Sequence, residues 1–317
     1  MQSPLVSIII PCFNAQDSLA EAIHSALQQT YQSREVIVID DGSNDDSVEI
    51  LKQFGSKVLW ESGPNQGGCS ARNRGVEIAH GEFVQFLDAD DILAPEKLEK
   101  QVPLALEYEQ SIVYCDHFVN TIGGQVIRRS RGVEWSDSVE FVLEHDALTT
   151  LGPLHRKSWL DEVGGFRVGL RAAQELDLHL RLAVHGFRFF HMPDALFTVR
   201  RTASSVSSSP AKTLEQWINF MPDVIAKIEM RGEMTAHRRA VIASHLARAG
   251  RQVVRDGTKD IGLSLLKLAH ALDRNAAEHS AYSTPARCLK RIVGSVMLER
   301  LVKAWRRCNQ RSIAKAV

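Results

Sequence analysis

VSIIIPCFNAQDSLAEAIHSALQQTYQSREVIVIDDGS (6–43) alternates between two periods. LVSIII (5–10) is a mostly apolar run that reads as a buried strand, and REVIVID (34–40) is continuous in Val and Ile, as in parallel strands buried on both faces. Between them Asp17 to Gln29 carries apolar residues at 19, 22, 23, 26 and 27, the spacing of one helical face. The same alternation continues outward. SNDDSVEILKQF (43–54) opens with residues that favour a helix start, and KVLW (57–60) is a short strand. SGPNQGG (62–68) punctuates before a helix over Ser70 to Ala79, and EFVQFLD (82–88) is a fourth strand. Strand–helix alternation of this kind predicts an α/β fold, an open, mostly parallel sheet with helices on both faces.

Beyond it the pattern is mixed. Helices are expected at 95–109, 137–145, 155–162 and 174–185, with strands near 111–119, 125–129, 187–191 and 196–200. Ser204 to Pro210 is serine-rich and reads as a linker, followed by helix-periodic sequence to the end. The expected domains are therefore 1–205, α/β, and 206–317, a basic and mostly helical C-terminal extension. No internal repeat is visible.

The net charge of zero over 317 residues hides an asymmetry. Residues 1–210 carry 18 Lys and Arg against 29 Asp and Glu, and residues 211–317 carry 20 against 9. The halves thus differ in the surroundings they suit. Five scattered cysteines, none in a CxxC pair, fit a reducing cytoplasm and no zinc site. Neither a signal peptide nor an apolar run long enough to span a membrane is present, so a cytoplasmic location is expected.

Ligands of open α/β sheets sit beyond the carboxyl ends of the strands. Three polar segments follow strands there: PCFN (11–14), DDGSND (40–45) and DADD (88–91). In the last, Asp88, Asp90 and Asp91 repel one another and call for a countercharge, and Mg²⁺ or Mn²⁺ binds one or two carboxylates together with phosphate oxygens. An acidic helix start before Pro95 is the plainer account. Asp41 with Gly42 suits either a base N–H or a helix-capping turn. Gly67-Gly68-Cys69-Ser70-Ala71-Arg72 places a flexible loop at a helix N-terminus, where backbone N–H groups favour anions; Arg72 is a diphosphate contact or an ordinary surface arginine.

Taken together, VSIIIPCFNAQDSLAEAIHSALQQTYQSREVIVIDDGSNDDSVEIL (6–51) and GPNQGGCSARNRGVEIAHGEFVQFLDADDILAPEKL (63–98) closely resemble the family 2 glycosyltransferases of GT-A fold, over roughly residues 5–200. The resemblance implies that Asp41 recognises a nucleotide base, that Pro11, Phe13 and Asn14 line the same pocket, and that Asp88 contacts the ribose or donor sugar. It implies Asp90 as the ligand of a divalent metal and Asp91 as a donor-site acid. GGFRVGLRAAQELDLHLRLAVHG (164–186) looks like the family's acceptor loop followed by its Glu-Asp motif, with Gln174-Glu175 standing where Glu-Asp is common. Glu175 then inherits the role of general base, being ionised at neutral pH with an ordinary value of about 4.3. One base serves a single in-line displacement, which inverts the anomeric centre, whereas retention normally involves a nucleophile as well. The helix dipole offers another reason for Glu175 and Asp177. FTVRRTASSVSSS (197–209) has Thr202 where many relatives have a histidine, leaving Arg200 and Arg201 as diphosphate contacts. His155 and His179 are read as structural.

The implied donor is a nucleotide-diphospho-sugar, UDP-linked, and the acceptor a glycan or lipid-linked glycan of a cell surface; no nucleic acid partner is expected. Residues 285–317 hold nine Lys and Arg and one acid, with apolar residues at helical spacing. Such a helix suits peripheral membrane contact or packing on an acidic domain. Two rival functions are a nucleotidyltransferase, whose glycine-rich, lysine-bearing signature PCFN does not match, and an inactive nucleotide-sugar-binding scaffold, against which Asp88, Asp90 and Glu175 argue.

Overall fold

The computed structural model describes residues 3–121, 124–128, 137–144, 148–200 and 210–281. The chain divides into two compact units, Met1–Ser205 and Val206–Val317.

The first unit is the expected α/β sheet. Its strands are β1 (Val6–Cys12), β2 (Arg34–Asp40), β3 (Leu59–Ser62), β4 (Phe83–Phe86), β5 (Ile92–Leu93), β6 (Ser111–Thr121), β7 (Gly124–Arg128), β8 (Leu154–Arg156) and β9 (Arg188–Arg200). Its helices are α1 (Leu19–Leu27), α2 (Ser47–Phe54), α3 (Gly68–Ile78), α4 (Lys97–Glu107), α5 (Ser138–Glu144), α6 (Lys157–Val163) and α7 (Gln174–Val184). The order across the sheet is β3-β2-β1-β4-β8-β6-β9-β5, with β7 beside β6. β3, β2, β1 and β4 run parallel, whereas β8 is antiparallel to β4 and to β6. Val6, Ile8 and Ile10 enter one core with Leu19, Ala22 and Ile23 of α1. α3 covers the opposite face, and a Cβ on Gly75 would stand 2.3 Å from Ile9 Cγ2, so only glycine lets that helix approach. Pro11 pairs with Ile39 of β2 beyond the point where β4 stops pairing with β1, so its missing N–H costs the sheet nothing.

Three readings of the sequence change. The stretches 187–191 and 196–200 form one strand, because Met192 pairs with Cys115 and Ala195 with Asp116, leaving Pro193 and Asp194 as a bulge that absorbs the proline. β8 occupies residues expected to begin a helix, and β5 was not expected; three-residue and two-residue strands are too short to show a period. Helix α8 (Pro210–Glu215) starts on the last residue of the expected linker.

The second unit continues as helices α9 (Trp217–Met230), α10 (Ala236–Asp256), α11 (Lys259–Leu272) and α12 (Arg274–Ala281). Thr235 caps α10 by accepting from Arg238 N at 3.1 Å, and Gly257, with φ of 112°, ends it. α10 and α11 meet through glycines, since a Cβ on Gly250 would lie 2.7 Å from Gly262 O. The segment 285–317, with its expected basic helix, lies outside the described residues. No described helix is long and apolar enough to cross a membrane.

One buried group ties the parallel and antiparallel parts of the sheet together. Lys97, 0% exposed, donates to Gln85 Oε1 at 2.6 Å, to Gly152 O at 3.3 Å and to Gln101 Oε1. Its three donors are met, yet no carboxylate among the described residues pairs with it, and burial lowers its pKa to about 8 from 10.5. Between those values the unfolded chain binds the extra proton, so stability rises with pH. Relative to Lys97→Met, the wild-type protein is expected to gain about 3 kcal/mol between about pH 7.5 and about pH 10.5 in urea denaturation. Parallel pH curves for the two proteins would show that burial does not lower the Lys97 pKa.

Candidate active site

The loops that follow β1, β2, β3 and β4 emerge at one edge of the sheet, and the sequence laces them together. Asn14, in the left-handed region at φ of 49°, donates its backbone N–H to Ser43 Oγ at 2.9 Å and accepts from Asn44 N at 2.8 Å. Ala15 N donates to Ser47 Oγ at 3.0 Å, Gln16 N to Asp45 Oδ2 at 3.0 Å, and Asp46 N to Gln16 Oε1 at 3.1 Å. Phe13, 48% exposed, stands at the head of this lacing. Asp40 accepts from Ser43 N and from Ser62 Oγ, which joins the second loop to β3. Asp41 is buried and accepts from Gln66 N at 2.7 Å and Gly67 N at 2.8 Å, one bond to each oxygen. Gly42, at φ of 79°, leaves no room for a Cβ, which would meet Asn65 N at 2.7 Å. Asp40, Asp41, Ser62 and Gln66 line a cleft of about 240 Å³ with Pro64, Ser70 and Arg74.

The three acids after β4 meet different fates. Asp88 is half-buried and pairs with Arg72, Oδ1 to Nη2 at 2.5 Å. Asp90 is half-buried, and burial with the neighbouring Asp88 charge raises its pKa. Asp91, 4% exposed, turns inward and accepts from Arg200 N at 2.8 Å; burial, the Asp88 charge and then Asp90 push it up to about 8. Arg200 also donates to Asp90 O and pairs with Glu21. It thus holds the acidic turn in place from β9. Arg201 and Thr202 lie outside the described residues.

Opposite the acids, α3 grips the loop that leads into α7. Asn73 accepts from Phe166 N at 2.7 Å and donates to Phe166 O at 2.8 Å. The Arg72 guanidinium lies 5.4 Å from the Phe166 ring centroid, and its Nη1 donates to Gln174 Oε1 at 2.8 Å. Ala173 enters α7 in the left-handed region at φ of 57°, a strained conformation for a residue with a Cβ. Glu175 follows in the first turn. Its carboxylate has no hydrogen-bond partner among the described side chains, and burial raises its pKa, which strengthens it as a base. Asp177, 0% exposed, accepts from Arg181 Nη2 at 2.7 Å and Arg167 Nε at 3.1 Å, so its work is to hold the loop to the helix.

The structure therefore brings Arg72, Asp88 and Glu175 together, with Asp90 beside Asp88, and places Asp41, Phe13 and Asn14 on the neighbouring loops and Pro11 near the end of β1. Sequence reasoning gave no role to Asn73, Arg167 or Arg181, and noted Gln174 only as a departure from the Glu-Asp motif; Asn73 was signalled only by standing next to Arg72. His155 and His179 form a stacked pair in the core, Nε2 to Nε2 at 3.3 Å. Burial holds His155 well below its ordinary value and His179 at about 3, so both are uncharged.

Residues 7–175 match the family model for glycosyl transferase family 2. The chain belongs to that family. TuaG of Bacillus subtilis, a family member named for teichuronic acid biosynthesis, is 30% identical over 67% of this chain and 85% of its own length. An uncharacterized glycosyltransferase of Haemophilus influenzae is 41% identical over 40% of this chain and 52% of its own. For a Rickettsia typhi relative at 42% identity that second share is 37%, so the chain spans about half or less of the length of these two. Among solved structures, S. aureus TarS 1–349 with UDP-GlcNAc superposes with a TM-score of 0.73 at 19% identity, covering 96% of this chain and 92% of that one. The mannosyltransferase PcManGT of Pyrobaculum calidifontis, solved with GDP-Man and Mn²⁺, gives 0.51 at 17% identity. These likenesses bear out the GT-A fold.

Asp91 provides a test of how the acidic turn is built. Folded, it keeps a proton that the unfolded chain has lost between about pH 4 and about pH 8, so its contribution to stability falls as pH rises through that window. Asp91→Asn retains an oxygen for Arg200 N and does not ionise. Measured by urea denaturation with chelator present, the variant is expected to gain on wild type steadily from about pH 4 to about pH 8; a constant difference would mean that Asp91 is ionised in the fold.

Proposed function

We propose that the chain is an inverting glycosyltransferase that moves a sugar from a nucleotide-diphosphate donor, UDP-linked, to a hydroxyl of a glycan or lipid-linked glycan on the cytoplasmic side of the membrane. The observation that carries this reading is the convergence on Arg72 of a donor-side acid, Asp88, and of the helix turn that bears Glu175, a carboxylate with no side-chain partner among the described residues.

On the donor side, Asp41 keeps a free lone pair on each oxygen for a base N–H, beside Pro11, Phe13 and Asn14. Asp88 contacts the ribose or sugar, and Arg72 faces the diphosphate, where a delocalised cation suits phosphate geometry. Asp91, turned inward, serves the donor site by fixing the turn that aims Asp90. The donor set also fits a divalent metal. Asp90 offers a hard carboxylate oxygen whose charge is disfavoured by burial and by Asp88, so a cation is welcome there. Among the described residues no three acidic, histidine or cysteine side chains converge on one point, so diphosphate oxygens and water have to complete the shell, as Mg²⁺ and Mn²⁺ accept. Bound at Asp90, the metal would neutralise the charge of the departing diphosphate.

Glu175 takes the acceptor hydroxyl proton as the new C–O bond forms and the bond to the diphosphate breaks. With Glu175 as the base of a single in-line displacement, the anomeric carbon is inverted.

Two variants test the reading by different signatures. Glu175→Gln is expected to lower turnover by about 10²- to 10⁴-fold while preserving the thermal shift produced by UDP with Mn²⁺. Asp90→Ala is expected to lose both the metal-dependent part of that shift and transfer. Transfer by Asp90→Ala at the wild-type rate, unaffected by chelator, would sink the metal-assisted mechanism.

A further inference from the structure

Gln174 stands between the two halves of the site and belongs to neither. Its Oε1 accepts from Arg72 Nη1 at 2.8 Å, and its Nε2 donates to Leu170 O at 2.8 Å, a carbonyl that Cys69 Sγ also approaches at 3.8 Å. Arg72 in turn holds Asp88 through its other terminal nitrogen. One amide therefore closes a chain from the tip of β4, through α3, to the turn 170–173 that delivers Glu175. Ala173 within that turn is strained and needs such restraint to persist.

We propose that Gln174 is a positioning residue for sugar transfer: its amide clamps the 170–173 turn to Arg72 and so fixes the Glu175 carboxylate relative to the donor acid Asp88. The inference rests on the glycosyltransferase reading above. Only an amide does both jobs. A carboxylate at 174 sets oxygen against the Leu170 carbonyl, competes with Asp88 for Arg72, and adds negative charge next to Glu175. This accounts physically for glutamine where related sequences commonly carry glutamate. The charged and titratable groups facing Glu175 are Arg72 and Cys69 from α3 and Asp88 from the end of β4; Asp177, one turn along, is neutralised by Arg167 and Arg181.

The test uses the full chain with Mn²⁺ and the nucleotide sugar that stabilises it most among a panel of UDP- and GDP-sugars, following release of the nucleoside diphosphate with water as acceptor. Gln174→Met is expected to lower kcat about tenfold, the worth of one lost hydrogen bond, with the donor KM within about twofold. Gln174→Glu, nearly isosteric and suited to the test even where Met disturbs folding, is expected to move the acid limb of the kcat–pH profile upward by about one unit. A merely structural glutamine would change melting temperature while leaving kcat per donor-binding site and the acid limb where they are in wild type. That result in both variants overturns the inference, provided the wild type releases nucleotide and Glu175→Gln does not. No release by the wild type, or wild-type release by Glu175→Gln, would instead bring down the glycosyltransferase reading, and the inference with it.

Discussion

A guanidinium offers five N–H donors and a flat apolar face, and burying it without partners is costly. Arg72 is almost wholly buried, and three groups engage it, Asp88 from the tip of β4, Gln174 from the start of α7 and the ring of Phe166 beneath it, while its Nε is left without a hydrogen-bond partner. Each of those residues is itself placed by something else. Asn73 pins the Phe166 backbone, Leu170 O holds the Gln174 amide, and β4 is fixed by its pairing with β1. The parallel sheet and the acceptor-side loop are thus not independent parts that happen to adjoin. They share one cation.

The acidic turn shows how such a site tolerates like charges. Three carboxylates in four residues would repel strongly if all were ionised at one depth. Asp88 is paired with Arg72, Asp91 is buried as a neutral acid, and Asp90, half-exposed like Asp88, has its charge disfavoured by burial and by Asp88, which raises its affinity for a cation. Arg200, reaching across from β9, holds this turn at two points, its backbone N–H donating to the Asp91 carboxyl group and its guanidinium to the Asp90 carbonyl. The electrostatic work is divided before any ligand arrives.

Much of this is legible in the chain itself. β2 can be read to the residue because four consecutive apolar positions, Val36 to Ile39, stand between charged ones, and the acids after β4 stand out because a buried strand ending in charge has few structural uses. What escapes notice depends on partners far away in sequence. Lys97 looks like an ordinary residue of an amphipathic helix until Gln85 and Gly152, 12 and 55 positions away, gather around its amine. β5 and β8 are strands only because β9, β4 and β6 offer them edges. Pro193 reads as a break because a bulge has no period. Asp177 resembles a helix-start acid, and its role is set by Arg167 and Arg181 from either side.

The reciprocal bonds between residues 14–16 and 43–47 carry a consequence for how such a protein can diversify. Inserting or deleting a residue in either loop would forfeit up to five hydrogen bonds at once unless the opposite loop changed length with it. The approach to the α7 carboxylate, by contrast, is secured by a handful of side chains projecting from α3, and can be rebuilt one substitution at a time. Novelty therefore has an easier entry through whatever receives the sugar than through whatever delivers it.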